Sequence, residues 1–409
     1  WDSQHLIREY NRNINSLYIS WTGTEPNATG LFLEPYNAGF SYQGTGDFRN
    51  YKWDTYSVAF DGVDDYVDAG TALGDALGDN YAGSLTVSLW FKNGVIGGDD
   101  GLFYIGAFTG NLGPFMIQMT STVIRYSLGN MAWYREVAFT DTGSWHHLVC
   151  VYAAGSAANS KLYLDGVAIT GTISEGFVIA NDMDFAGKKT IIGAYYSSSW
   201  PLNGNIDEVA IWNSALSAGD ISAIYNGGTP ESLTPYSPTA WWRMGDGPLD
   251  DGDERLIGDQ MNLTLGSDLI TNGTFATAAD WSLGIGWSIA DGKATSDNSQ
   301  TSVSSLRQSL SLVQGTLYKI TYDWSVASVG TVLPALGSDV ANGGVYLSAV
   351  GTGLVTYVRY TGATGAVNFD FYTGADSDGS VSNILVEAVN GYAGQMENMT
   401  ASDIVADTP

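Results

Sequence analysis

The chain has 409 residues, room for two or three domains, and 44% of them are hydrophobic, enough for packed cores. Only 14% are charged, 12% are aromatic and 51 are glycine, a composition of many short strands joined by tight turns. Lys and Arg number 16 against 43 Asp and Glu, and the net charge of −27 argues against nucleic acid and anionic membrane as partners while favouring divalent cations.

In chain order, QHLIREYNRNINSLY predicts one helix, with Leu6, Ile7, Tyr10, Ile14 and Leu17 on one face. Residues 22–50 read as an extended arm that needs a partner surface. From Tyr56 the pattern turns to strands, expected at 56–60, 66–69, 84–91, 102–107, 114–119, 122–127, 133–139, 145–152, 160–164, 189–193 and 206–212, many with the alternation of a half-buried antiparallel sheet. Asp165-Gly166 marks a two-residue hairpin turn. A helix starts at Ser217, a plausible N-cap, and stops at Gly227. The acidic stretch 248–267 reads as a linker. A second strand-rich block covers 268–389, and a tail covers 390–409. The single cysteine, Cys150, sits in the apolar run LVCVY and reads as a buried thiol; the lack of disulfides points to a prokaryotic or viral source. No run of about 18 apolar residues is present to span a membrane. The sequence opens on Trp1 without Met, as after processing or in a partial sequence.

Five motifs stand in a fixed order: FDGVDDYVD (60–68), SLTVSLWFK (84–92), GSWHHLVCVY (143–152), SKLYLDGVAI (160–169) and the segment TIIGAYY to IYNGG (190–228). The series resembles the laminin-G-like, or concanavalin-A-like, lectin superfamily. The resemblance implies a jelly-roll sandwich over 51–247; the periodicity by itself gives only antiparallel β. PTAWWRMGDG (238–247) and MENMTASDIVADTP (396–409) resemble a motif pair of marine bacteriophage structural proteins. That pair lies close together in the family. Here the second block separates it, which implies an insertion with the tail returning to the first sandwich. The block itself resembles carbohydrate-binding-module-like jelly rolls. The expected fold is therefore all-β: a lectin-like jelly-roll sandwich, a second, smaller one, and an N-terminal arm over residues 1–50.

Asp207 and Glu208 in NGNIDEVAIW invite comparison with glycoside hydrolases, which need two carboxylates flanking one bond. Adjacent strand residues face opposite ways, so the pair is expected not to share a cleft, and no enzyme activity is expected. His146 and His147 diverge for the same reason and make no zinc site; they read as packing at the sandwich edge. Asp61, Asp64, Asp65 and Asp68 fall within one turn and strand and are the candidate calcium ligands; Asp99-Asp100 is a further acidic pair in a Gly-rich loop. Lectin-like sandwiches often hold one calcium at the rim, so the resemblance points the same way. Candidate sugar-stacking aromatics are Trp133, Tyr195, Tyr196 and Trp200 in the first block and Trp281 and Trp287 in the second, with Trp200 the best exposed.

The expected function is a noncatalytic virion structural protein (fibre, spike or capsid decoration) on the particle surface. Its expected partners are other virion proteins, copies of itself (a trimer as first guess) and host surface glycans. The alternatives are a secreted or cell-surface bacterial carbohydrate-binding protein and a glycoside hydrolase.

Overall fold

A computed structural model describes residues 7–11, 16–20, 54–95, 98–106, 114–129, 133–169, 171–173, 183–195, 200–247, 250, 256–261, 264–326, 330–340, 347, 350–375 and 377–409. The chain divides into two units, Trp1–Asp54 and Thr55–Pro409. In the first, Ile7–Asn11 pairs antiparallel with Ser16–Ser20. The expected helix is thus a hairpin. Asn11, Asn13 and Asn15 crowd its middle, and asparagine favours turns over helix interiors. Most of the expected arm lies outside the described residues.

Among the described residues of the second unit every strand pair is antiparallel, and four sheets form two sandwiches, the all-β jelly-roll class. The first sandwich packs an eight-stranded sheet against a nine-stranded one. Leu85–Asn93 lies between Trp145–Tyr152 and Asn203–Trp212 in the eight-stranded sheet. It is buried almost throughout because both faces are covered. Its inward face meets the opposite sheet. On the outer side of the same sheet, Ala218–Tyr225 packs Ile221 against Val149, Val151 and Tyr163. That helix starts at Ser217 with a capping box to Asp220 and ends at Asn226, whose φ of +47° is left-handed. Trp90 and Tyr225 pack on His147 with ring centroids 4.9 and 6.0 Å away, and on each other at 5.8 Å. His147 is therefore core, not edge, and its Nε2 meets the Ser88 hydroxyl at 2.8 Å. Burial pushes its pKa down to about 3. Cys150 is buried as well, and burial pushes its thiol far up. Asp165 (φ +52°) and Gly166 (φ +75°) form the hairpin turn.

The second sandwich packs a six-stranded sheet against a five-stranded one around Trp281, Trp324, Phe369 and Phe371. It is inserted into the first. Leu256–Ile257 and Gly394–Glu397, either side of it, pair with each other. Gly394–Glu397 also pairs with Tyr66–Asp68, in the nine-stranded sheet. Beyond it, Ile404–Val405 pairs with Ser57–Val58 in the eight-stranded sheet. The expected linker is accordingly partly strand: Leu256–Ile257 belongs to the first sandwich, and Thr264–Asp268 pairs with Asp378–Asn390 of the second. Among the described residues no helix is long and apolar enough to cross a membrane.

Candidate functional site

At one end of the first sandwich the loop after Leu85–Asn93, the turn after Ser57–Asp61 and the start of Asn203–Trp212 surround an open groove of about 370 Å³. Its lining includes Gly62, Val95, Asp99, Asp100, Trp200 and Asn203. Asn203 joins the segments. Its Nδ2 donates to the Asp61 carbonyl at 3.0 Å, and its carbonyl accepts from Gly94 N at 2.8 Å. Gly62 has φ +77°, and a Cβ there would sit 2.8 Å from Asn203 Cβ. Trp200 also holds a left-handed backbone, φ +50°, and its carbonyl accepts from Gly101 N at 2.9 Å. The Trp200 side is 46% exposed, and Tyr195 backs its ring at a centroid distance of 5.1 Å. Tyr195 is buried and braced edge-on by Tyr104 at 5.2 Å. A large aromatic ring is thus held at the rim of a polar groove.

The groove is acidic. Burial, then the neighbouring Asp99, pushes the Asp100 carboxyl up to about 6. Carboxylate oxygens of Asp61, Asp64 and Asp65 lie within 4.8 Å of one another. Asp61 Oδ1 accepts from Val63 N at 2.7 Å, and Asp65 Oδ2 from Asp61 N at 2.9 Å. Burial, against the Asp61 amide and with help from Asp61, Asp403 and Asp64, pushes the Asp65 carboxyl up to about 6.

Asp68 does not join this group. It is buried on the nine-stranded sheet, where Lys189 Nζ holds its carboxylate at 2.6 Å. Burial alone would raise its pKa, but Arg359 and Lys189 outweigh that and hold it below the ordinary range. An oxygen already taken by an ammonium is not available to a metal.

Among the other aromatic candidates, Trp133 is fully buried against Tyr126, Tyr195 supports Trp200 from within, and Trp281 and Trp287 belong to the second core. These rings offer no free face to a sugar. Packing within the two cores buries them, and residue type alone does not separate core from platform. Tyr196 lies outside the described residues. The part played by Asn203 and Gly62 was missed because their partners are distant in sequence. The Gly-rich loop around Asp99 was the available signal.

Asp207 and Glu208 depart from simple alternation. A bulge breaks the register after Asp207, and Glu208 takes φ +48°. The two carboxylates converge to within 4.8 Å instead of facing opposite ways. Both residues are buried all the same. Asp207 Oδ1 accepts from Glu208 N at 2.7 Å. Glu208 binds Trp241 Nε1 and meets Arg243 Nε at 2.9 Å. Burial pushes the Glu208 carboxyl up, opposed by Arg243 and Trp241.

Residues 61–222 match the family model of the concanavalin A-like lectin/glucanases superfamily, so the first sandwich contains a lectin-like domain of that type. No curated protein matches the chain. Solved structures to which the chain shows similarity include a native heptameric SAP-like pentraxin from Limulus polyphemus, 14% identical, TM-score 0.32, covering 44% of this chain and 86% of that one. The CBM40 of Ruminococcus gnavus IT-sialidase is 15% identical, TM-score 0.34, covering 42% of this chain and 96% of that one. A leech intramolecular trans-sialidase is 13% identical, TM-score 0.30, covering 62% of this chain and 36% of that one.

Proposed function

We propose that this chain is a noncatalytic glycan-binding protein of a virion surface, whose first sandwich presents the Trp200 groove to a sugar. The observation that carries the reading is Trp200 itself: a ring 46% exposed on a strained backbone, backed by Tyr195 and bordered by polar groups. A pyranose face is apolar and its edge hydrogen-bonds, so an aromatic plate beside carboxylates and an amide suits both. The burial of Asp207 and Glu208, and the engagement of Glu208 with Trp241 and Arg243, support a structural role for that pair over hydrolysis. Asp61, Asp64 and Asp65 would hold a calcium ion, which would order the turn bearing Gly62.

The virion assignment rests on the resemblance of the motifs at 238–247 and 396–409 to a pair in marine phage structural proteins. The two motifs meet in the fold, where Ile404 Cγ2 lies 2.7 Å from the place a Gly245 Cβ would occupy. Assembly with other virion proteins, or as a homotrimer, would run through residues 1–50. A glycan array, probed with and without calcium, tests the binding reading. A ligand is expected whose signal falls at least tenfold in Trp200→Ala; no ligand, or binding indifferent to Trp200, overturns it.

A further inference from the structure

His146 is fixed at one ring nitrogen and unbonded at the other. Its Nδ1 meets Asp165 Oδ2 at 2.8 Å, while Nε2 has no hydrogen-bond partner. Asp165 is itself held in the hairpin turn: its Oδ1 accepts from His147 N at 2.9 Å, and its own N donates to His147 O at 2.8 Å. An ionised carboxylate only accepts, so the neutral ring keeps its proton on Nδ1 and its lone pair on Nε2. Asp141 Oδ2 lies 3.8 Å from that Nε2, too far for a hydrogen bond. Zinc bonds to an imidazole nitrogen and a carboxylate oxygen add up to about 4.0–4.3 Å, so a bent N–Zn–O unit spans the gap with neither side chain moved. Asp141 has no other ion-pair partner among the described residues, unlike Asp68. His146 pairs across the sheet with Phe91, and Asn93 stands two residues further along that strand, on the same face. Asn93 is 1% exposed, and neither atom of its amide has a hydrogen-bond partner. Its carbonyl also accepts from Gly143 N at 2.7 Å, which anchors the loop that carries Asp141. We infer that His146 and Asp141 bind one divalent transition-metal ion, with the Asn93 amide beside them and water completing the shell. An imidazole ligand suits such an ion and not calcium, and a carboxylate behind the ring is what orients a metal-binding histidine. His147, in the core, takes no part. The ion would pin the loop after Trp133–Ala138 to the eight-stranded sheet. The site shares no residue with the Asp61 turn and is independent of the glycan reading.

The experiment titrates zinc calorimetrically into the full-length protein, first stripped with EDTA and then kept in excess calcium so that oxygen-only sites are filled. One zinc per chain is expected. Its affinity should fall at least tenfold in Asp141→Asn and the site should be lost in His146→Gln. Circular dichroism and the melting temperature of the metal-free variants show whether they are folded. Nitrogen NMR of the wild type gives a reading that needs no variant: zinc should move the Nε2 signal of His146. Zinc should also raise the melting temperature of the wild type and not that of His146→Gln. No zinc bound in excess calcium, binding unchanged in both variants, or an Nε2 signal that zinc leaves in place overturns the inference.

Discussion

Arg359 reaches out of the inserted sandwich to donate from Nη2 to the backbone carbonyl of Asp68 in the first, at 2.9 Å. The same nitrogen donates to Ala393 O at 3.0 Å, and Nη1 donates to Gly315 O at 3.1 Å. One guanidinium thus ties together a strand of each sandwich and the chain that returns between them. Leu256, Leu317, Tyr357 and Val389 pack as an apolar cluster at the same junction. Gly70 has φ +69°, and a Cβ there would run into Arg359 Nη1.

Arg359→Ala should therefore lower stability by about 2 kcal/mol, the scale of hydrogen bonds made by a charged group. Gly70→Ala should lower it too, through both the clash and the positive φ. Urea unfolding is the check, and an unchanged midpoint in both variants would mean that the apolar cluster alone holds the joint.

Glu208→Ala should cost about 3–5 kcal/mol, because it breaks a largely buried ion pair with Arg243 and removes the acceptor of Trp241 Nε1. Glu208→Gln, which keeps the shape and one acceptor, should cost less. Glycan affinity should hold in both wherever the protein stays folded. A loss of binding in folded Glu208→Gln would place this carboxylate in the site.

The strand pattern was readable because alternation reports directly on which side of a sheet is wet. The run from Ser57 to Trp212 and the hairpin at Asp165-Gly166 came through that way. Local capping chemistry likewise placed the helix at Ser217. Whatever depends on distant residues was hidden. The bulge at Glu208 exists because one residue more is fitted against Leu85–Asn93, and strand alternation cannot foresee it. Trp200 stood out as exposed because Ser and Pro flank it, whereas nothing beside Trp133 in sequence told that its ring lies inside the sandwich. The four clustered aspartates split for a similar reason: Asp68 belongs to the next strand and faces cations that come from residues 189 and 359.

Acid should act on this fold in two opposing ways. The carboxyls of Asp65 and Asp100 have folded pKa values of about 6 against an ordinary 3.8. The folded state binds their protons more tightly, so their contribution is fullest below about 4 and is lost as pH rises through 6. His147 runs the other way: unfolded it titrates near 6.5 and folded near 3, so its contribution is present above 6.5 and is lost as pH falls through that interval. Asp65→Asn/Asp100→Asn should therefore lose stability more steeply than wild type between pH 7 and pH 5. Urea midpoints at the two pH values test this, and parallel slopes would refute it. The His147 imidazole should stay neutral by NMR well below pH 6.5 and begin to charge only as pH approaches about 3.

The last prediction concerns residues 1–50, whose sequence carries Tyr10, Leu17, Tyr18, Trp21, Leu31, Phe32, Leu33, Phe40, Tyr42 and Phe48 among few charges. Apolar segments of this kind usually mark interfaces. The first strand of the unit from Thr55 onward is held by contacts within that unit. Asp246 accepts from Thr55 N at 2.8 Å, Thr55 Oγ1 at 2.7 Å and Tyr56 N at 2.8 Å, which fixes the start of this unit. Ser57–Asp61 is then paired on both sides, by Asn203–Ile206 and by Ile404–Val405. Asp407 adds an ion pair to Lys92 at 2.6 Å and accepts from Trp145 Nε1 at 3.1 Å, on two strands further into the same sheet. A protein beginning at Thr55 should therefore fold, melt close to the full chain and keep its glycan affinity, while no longer assembling. Light scattering coupled to size exclusion reads the assembly state of both forms. If the shortened protein forms the same oligomer as the full chain, residues 1–50 are not the assembly element.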